Sequence, residues 1–410
     1  MNGFSKRVLG AAMALAGVAF IGTVPASAYK EAPKKEFKLS KEERAAIIPL
    51  QTAVQAKDAA AAAAALPAAR AAAAGPDAKL AVGSLELQLG QLTKDRKQQS
   101  EGIDLMVESG SASAESLPQL LQAQAGLAVE DNNYPKAEAA LARLTQIAPN
   151  DANTLITLAQ LQMKQKKSAQ SVATLQRAIA MQKAAGQAVP EAWYATAVKG
   201  AYDAKLVPQT FELSRQWLAA YPSATNWRDA LSIYRQLANP DKPTETDTFR
   251  LMRALHALKG EADFFDYADA VDQGGYPGEV KAVLDEATAS GVDIGRASFA
   301  KMRASVPGRI QADKASLPAG EKSALAAASG RPALRVGDAF YGYGDYAKAA
   351  TLYRAALQKG QVDANLVNTR LGLALAQGGQ KAEAEAAFKA VTGPRSELAA
   401  FMLVWLSQRS

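Results

Sequence analysis

A chain of 410 residues can hold two or three ordinary domains or one long repeat array. With 49% hydrophobic and 21% charged residues it is a folding chain, and with no cysteine and a single histidine, His256, it excludes thiol catalysis, disulfides and cysteine- or histidine-cluster metal sites. The formal charge of +7 is interspersed with acidic residues rather than gathered into a cationic stripe, which argues against a nucleic-acid partner. Alanine dominates and aromatics are only 7%. Alanine loses no side-chain entropy on becoming helical, so the composition predicts an all-α protein of closely packed helices.

The first 28 residues read as a signal peptide. Lys6 and Arg7 supply a positive start, Val8 to Val24 form an uncharged apolar run, and Pro25 precedes an Ala26-Ser27-Ala28 cleavage site. Cleavage after Ala28 would deliver the chain to the periplasm. No later stretch is apolar enough to span a bilayer, so no stable membrane span is expected after cleavage. The absence of cysteine excludes a lipid-anchored lipoprotein. Lys30, Lys34, Lys35, Lys38 and Lys41 then mark a short solvated leader.

Residues 29–110 form an alanine-rich helical region, with Pro49 and Pro67 as expected helix boundaries and Gly75-Pro76 as a turn. Leu80 to Leu92 and Gln98 to Val107 read as an amphipathic pair. Residues 111–240 hold repeats, 241–320 hold degenerate helical hairpins, and 321–410 hold further repeats closed by a capping helix from about Glu397 to Gln408. No stretch shows sustained strand-like alternation.

The repeats follow a fixed period. Leu371-Gly372 precedes Ala384 and Phe388, and 35 residues earlier Val336-Gly337 precedes Ala349 and Tyr353. Leu121 and Leu155, Ala125 and Ala159, and Leu141 and Leu175 are each 34 apart, with Tyr134, Ala137 and Pro149 at matching places. A third unit carries Tyr194, Ala197, Trp217 and Pro222, but Thr210 and Ser214 stand where a small and a bulky residue belong. The pattern resembles the tetratricopeptide repeat (TPR) family over roughly 117–222 and 330–392. In style it is similar to alanine-rich exported TPR proteins of alphaproteobacteria. The resemblance implies an α-solenoid of stacked antiparallel hairpins, each covering the apolar face of its neighbour.

Sites of chemistry are few. His256 sits in a run read as helical and is expected to be a packed or surface histidine. Asp263, Asp266, Asp269 and Asp272 read as a solvated acidic helix face, since a calcium site takes its oxygens from a loop. Ser298-Phe299-Ala300-Lys301 matches a serine-x-x-lysine motif without its companion motifs. Gly342-Tyr343-Gly344-Asp345 reads as a turn between two repeat helices, with no strand before it. No catalytic residue, metal ligand or cofactor is expected, and the chain reads as not an enzyme.

By the resemblance, the first helix of each repeat lines a concave groove that holds protein or peptide segments. The positions expected to be exposed there are Gln119, Gln122, Asn153, Gln160, Lys164, Lys199, Tyr202, Arg331, Arg335, Asp338, Tyr341 and Arg370. Arginine pairs bidentately with carboxylates, and tyrosine brings contact area at low entropy cost. The function expected is a periplasmic scaffold or adaptor for other proteins, with envelope components as its partners. The alternative is a glycan- or peptidoglycan-binding envelope protein, for which Tyr202, Tyr341 and Tyr343 are the candidate aromatic platforms.

Overall fold

The computed structural model describes residues 37–409. The expected signal peptide and the leader lysines up to Lys35 lie outside the described residues. Among the described residues there are twenty α-helices, one 3₁₀ turn and no strand, so the protein is all-α and built from helical hairpins. Its contacts divide it into two units, one ending at Val189 and one starting at Pro190. The division falls within the 111–240 stretch.

Unit 1 opens with α1 (Lys41–Gln55) and α2 (Ala59–Ala72). Ser40 starts α1 with a reciprocal capping box: its hydroxyl accepts from the Glu43 amide at 3.1 Å while the Glu43 carboxylate accepts from the Ser40 amide at 2.8 Å. The same carboxylate accepts from the Gly75 amide at 2.7 Å, tying α1 to the turn after α2. Pro49 and Pro67, expected at helix boundaries, instead lie inside α1 and α2. Each proline removes one backbone donor without ending the helix. The break comes at Lys57, in left-handed conformation (φ 57°), and at Asp58, whose carboxylate caps α2.

α3 (Pro76–Thr93) and α4 (Arg96–Glu108) pack closely because glycine faces backbone. A Cβ at Gly83 would lie 2.6 Å from the Gly102 carbonyl oxygen, and one at Gly102 would lie 2.6 Å from the Leu87 amide. Two repeat hairpins follow: α5 (Leu117–Glu130) with α6 (Tyr134–Ile147), and α7 (Ala152–Lys164) with α8 (Ser168–Ala184). Their second helices bury Ala137, Leu141, Leu144, Leu175 and Ala178 against the first helices' Leu121, Ala125, Leu155 and Ala159.

Unit 2 begins with α9 (Glu191–Asp203), α10 (Val207–Ala220), α11 (Ala224–Ala238) and α12 (Lys242–Ala254). In α10 the two residues that depart from the repeat pattern are buried as small groups. The Thr210 hydroxyl donates to the Leu206 carbonyl at 2.9 Å, and the Ser214 hydroxyl to the Thr210 carbonyl at 2.7 Å. α13 (Gly260–Gln273) and α14 (Pro277–Ala289) lead to α15 (Ala297–Ala326), a 30-residue helix that contains Pro307 and Pro318. Then come α16 (Arg331–Gly342), α17 (Tyr346–Lys359), α18 (Ala364–Gln377), α19 (Lys381–Lys389), the 3₁₀ turn Gly393–Arg395 and α20 (Ser396–Ser407).

The small-and-bulky pairing read in the sequence has a direct physical basis. A Cβ at Gly337 would lie 2.8 Å from the Tyr353 ring, and one at Gly372 would overlap the Phe388 ring. Each glycine makes the space that the aromatic of its partner helix fills. Gly344, with φ 80°, forms the tight turn between α16 and α17, and Gly379 (φ 77°) does the same 35 residues later.

α20 was expected as a cap at the end of the stack, and it does more. It packs on α19 and also on α10, near the beginning of the unit. Phe401 meets Phe211, Trp227 and Tyr234 at centroid distances of 6.4, 6.5 and 5.9 Å. Gln408 donates to the Leu218 carbonyl at 2.8 Å and accepts from the Trp227 indole at 3.2 Å. α18 likewise packs on α12. Unit 2 therefore closes on itself.

Candidate functional site

Unit 2 has an interior into which α12, α14, α16, α18 and the 3₁₀ turn each send charged side chains. Asp247 and Arg250 come from α12, Glu279 from α14, Asp338 from α16, Arg370 from α18 and Arg395 from the 3₁₀ turn; all six are buried. Arg250 forks onto Glu279 (Nε to Oε1 2.8 Å, Nη2 to Oε2 2.7 Å) and donates through Nη1 to Asp247 at 3.0 Å. Arg370 donates through Nε to Asp247 at 3.1 Å and through Nη1 to Asp338. Arg395 donates through Nη1 to the other Asp247 oxygen at 2.9 Å. Three guanidinium groups thus meet three carboxylates.

Tyrosines complete the set. The Tyr267 hydroxyl donates to Glu279 at 2.6 Å, Tyr353 to Asp338 at 2.7 Å, and Tyr276 to Asp338 at 2.9 Å. The Arg250 guanidinium also lies over the Tyr341 ring, 4.6 Å from its centroid. Burial pushes the Asp247 carboxyl up, but Arg370, Arg250 and Arg395 outweigh it and hold it below the usual range. Glu279 is likewise pushed up by burial and held down by Arg250 and Tyr267. Burial works against the charged form of Arg250, yet Glu279, Asp338 and Asp247 raise it well above its ordinary value. Burial raises Tyr267 and Tyr353 well above the ordinary tyrosine value. These shifts keep Asp247, Glu279 and Arg250 charged and Tyr267 and Tyr353 neutral near neutral pH, so these groups hold their ion pairs and hydrogen bonds there.

The expected exposure of Asp338, Tyr341 and Arg370 is therefore corrected. The repeat register places them on the inner face, but the closed unit fills that face with its own ion pairs. Of the other expected groove residues in unit 2, Lys199 is exposed and pairs with Asp203 at 2.6 Å. Tyr202 is half-buried with its hydroxyl on Gln236 at 2.8 Å. Arg331 and Arg335 are exposed, and Arg331 donates to the Gln361 carbonyl at 3.2 Å beside Leu334, Val362 and Asp363 in a shallow open depression. Tyr343, half-buried, donates to Asp313 at 2.7 Å and has Lys314 5.1 Å above its ring. The three candidate sugar platforms are thus buried or already engaged.

Other expectations change too. His256 is not helical: it sits exposed in the turn after α12 with φ 52°. The aspartates of α13 are not simply solvated. Arg228 reaches Asp263 at 3.0 Å, Arg235 reaches Asp266 at 3.5 Å, and Arg309 pairs with Asp272. These pairs span 35, 31 and 37 residues, about one repeat. Similar separations join Arg250 to Glu279, Arg253 to Glu286 and Lys136 to Asp104. Opposite charges one repeat apart were the readable signal for these stitches. Ser298 is exposed and donates to Glu261 at 2.9 Å. Among the described residues no cluster of three or more acidic or histidine side chains could hold a metal ion, and no helix is long and apolar enough to cross a membrane.

In unit 1 the first-helix positions are open. On α5, Gln119 is exposed and Gln122 half-buried; on α7, Asn153, Gln160 and Lys164 are exposed. None of these side chains bonds to another described residue. Gln119 and Asn153 are 34 residues apart, so they occupy equivalent places in successive repeats.

The geometry defines a protein of stacked helical hairpins. No known protein family matches the sequence, and no curated protein matches it either. Among solved structures the chain is similar to a tetratricopeptide repeat protein from Parabacteroides merdae, with 10% identity, 82% of this chain and 100% of that chain covered, and a TM-score of 0.28. It is also similar to Pseudomonas aeruginosa pilF, with 14% identity, 64% and 97% covered, and a TM-score of 0.25. The TPR domain of P58(IPK) matches at 14% identity, 90% of each chain and a TM-score of 0.25. Superpositions this loose carry no argument about partners.

Proposed function

We propose that this chain is a non-catalytic scaffold that binds segments of other proteins on the first-helix face of unit 1, and that it works in the periplasm with envelope proteins as partners. The observation that carries the reading is the contrast between the two units. The inner face of unit 2 is saturated by its own arginines, carboxylates and tyrosines. The α5 and α7 face of unit 1 instead offers Gln119, Gln122, Asn153, Gln160 and Lys164 with no internal partner. Compartment and partner class rest on the sequence reading of the first 28 residues.

The test is a photoreactive residue placed in cells at Gln160, with Ala139 on the outer side of α6 as the control. A discrete protein adduct from position 160 alone supports the scaffold reading. Adducts from neither position, or equally from both, would refute it. Fractionation of the same cells tests the compartment: recovery in the cytoplasm with an uncleaved N-terminus would overturn the periplasmic assignment.

A further inference from the structure

We propose that the α5–α7 face of unit 1 receives an extended, acidic protein segment whose main chain lies against Gly126. The inference rests on the scaffold reading above and names the chemistry of its partner.

The first observation is Gly126 itself. A glycine inside a helix lowers helix stability relative to alanine and needs a reason. The other helix-interior glycines of unit 1 have one: at Gly83, Gly90 and Gly102 an added Cβ would fall within 2.6 to 2.7 Å of the partner helix's backbone. At Gly126 an added Cβ would meet nothing within 4 Å. Neither packing nor a turn demands glycine there. Gly126 follows Gln119 and Gln122 at helical spacing, and lies 34 residues before Gln160. It is a bare patch in the middle of an open polar face, where another backbone can approach closely.

The second observation is what surrounds it. Gln119, Gln122, Asn153 and Gln160 are amides, and each carries both donor and acceptor, the complement of an extended main chain. The α7–α8 hairpin carries charge of one sign, while Glu115 is the one exposed carboxylate close to Gln119 at the start of α5. From residue 152 to residue 190 the chain has no aspartate or glutamate, yet it carries Lys164, Lys166, Lys167, Arg177 and Lys183. Lys167 is taken by Glu138 at 2.6 Å. Lys164 and Lys166, at the C-terminal end of α7, are exposed and form no ion pair among the described residues. The carboxylates on the adjoining end of α5 are already engaged, Glu130 and Asp131 by Arg96. Uncompensated cations beside an uncharged amide face are complementary to an anionic segment, and they disfavour a basic one.

The experiment uses the full chain and three pools of short end-blocked random peptides, enriched in Asp/Glu, in Lys/Arg, or in neither, followed by fluorescence anisotropy at low salt. The acidic pool should bind best, and Lys164→Glu should weaken it by about tenfold. Gly126→Ala gives the readout that a structural glycine would not. It should raise the thermal midpoint of unit 1 by about 2–4 °C while weakening the acidic pool several-fold. Equal binding of all pools, or an alanine variant that is more stable and binds as well as the native chain, would overturn the proposal. So would a failure of every pool to bind. If the crosslink at position 160 still captures a protein in any of these cases, the scaffold reading survives and only the acidic, extended partner is refuted.

Discussion

Replacing Asp247 with asparagine perturbs the centre of unit 2 without changing its volume. The native carboxylate accepts from Arg250, Arg370 and Arg395 at 3.0, 3.1 and 2.9 Å, and it is fully buried. The introduced side chain would present an NH₂ to guanidinium groups that cannot accept from it, and would leave three buried cations facing Glu279 and Asp338. Arg395 would keep only Asp241, 3.6 Å away and exposed. Breaking a buried pair costs about 3–5 kcal/mol, a large share of the roughly 5–15 kcal/mol that holds a typical domain. All four tryptophans, Trp193, Trp217, Trp227 and Trp405, belong to unit 2, so their fluorescence in urea reports on it selectively. Asp247→Asn should lower the unfolding free energy by about 3–5 kcal/mol, against under about 0.5 kcal/mol for Lys199→Ala in an exposed pair. The double variant Asp247→Asn with Arg395→Met restores charge balance and should cost less than the two single changes added together. A loss below about 1 kcal/mol for Asp247→Asn, or strict additivity in the double variant, would refute the account of the interior as a coupled ionic core.

Acid should also act there: Asp247 and Glu279 are held below their ordinary range in the folded unit, so their contribution is present above about pH 4 and is lost as pH falls through their folded values. Tryptophan-detected stability that stays flat through that acid range would contradict it. In unit 1 the sign reverses for Glu86, whose carboxyl burial raises despite Arg70, at 2.9 Å on Oε2. A raised carboxyl favours folding in acid and loses that advantage as pH rises through its folded value. Glu86→Gln should therefore flatten the pH dependence of amide exchange in α3, and an unchanged profile would refute the assignment. Phe401→Ala removes the ring that joins Phe211, Trp227 and Tyr234, and should cost about 3–5 kcal/mol in the same urea assay. A cost near that of a surface change would mean that α20 caps only α19. Gly372→Ala pushes a methyl into Phe388 and should cost about 1–3 kcal/mol, whereas a neutral result would deny the glycine–aromatic pairing.

The helical class and the hairpin period were legible because they rest on local signals: alanine content, glycine turns and the small residue that faces a bulky one. Thr210 and Ser214 show the limit of that code. Their hydroxyls turn back onto their own helix, so a polar pair serves where the pattern asks for apolar side chains. Pro49 and Pro67 misled for a related reason, since one missing donor does not end a helix that neighbours hold in place, and Pro307 and Pro318 lie inside α15 in the same way. The face of Asp338, Tyr341 and Arg370 was readable from the register, but their burial was not. It depends on Asp247 meeting Arg370 and Arg395 across 123 and 148 residues, distances at which no periodic signal survives. The exposure of Gln119, Asn153, Gln160 and Lys164 follows from local helix register alone, since no distant described residue bonds to their side chains.

The return of α20 to α10 has a consequence for how the chain is made. A repeat array normally grows by adding each hairpin to the one before, so its early repeats are finished before its late ones exist. Unit 1 fits that order, since its packing pairs neighbours in the sequence. Unit 2 does not, because Trp227 waits for Gln408 and Leu218 for the same residue, 181 and 190 positions later. A chain that emerges from its N-terminus, from a ribosome or through a membrane pore, can settle its first half while the second stays incomplete until the last turn of helix arrives. Loss of only the final helix would then be felt at the beginning of the second unit, the place a truncation is least expected to reach.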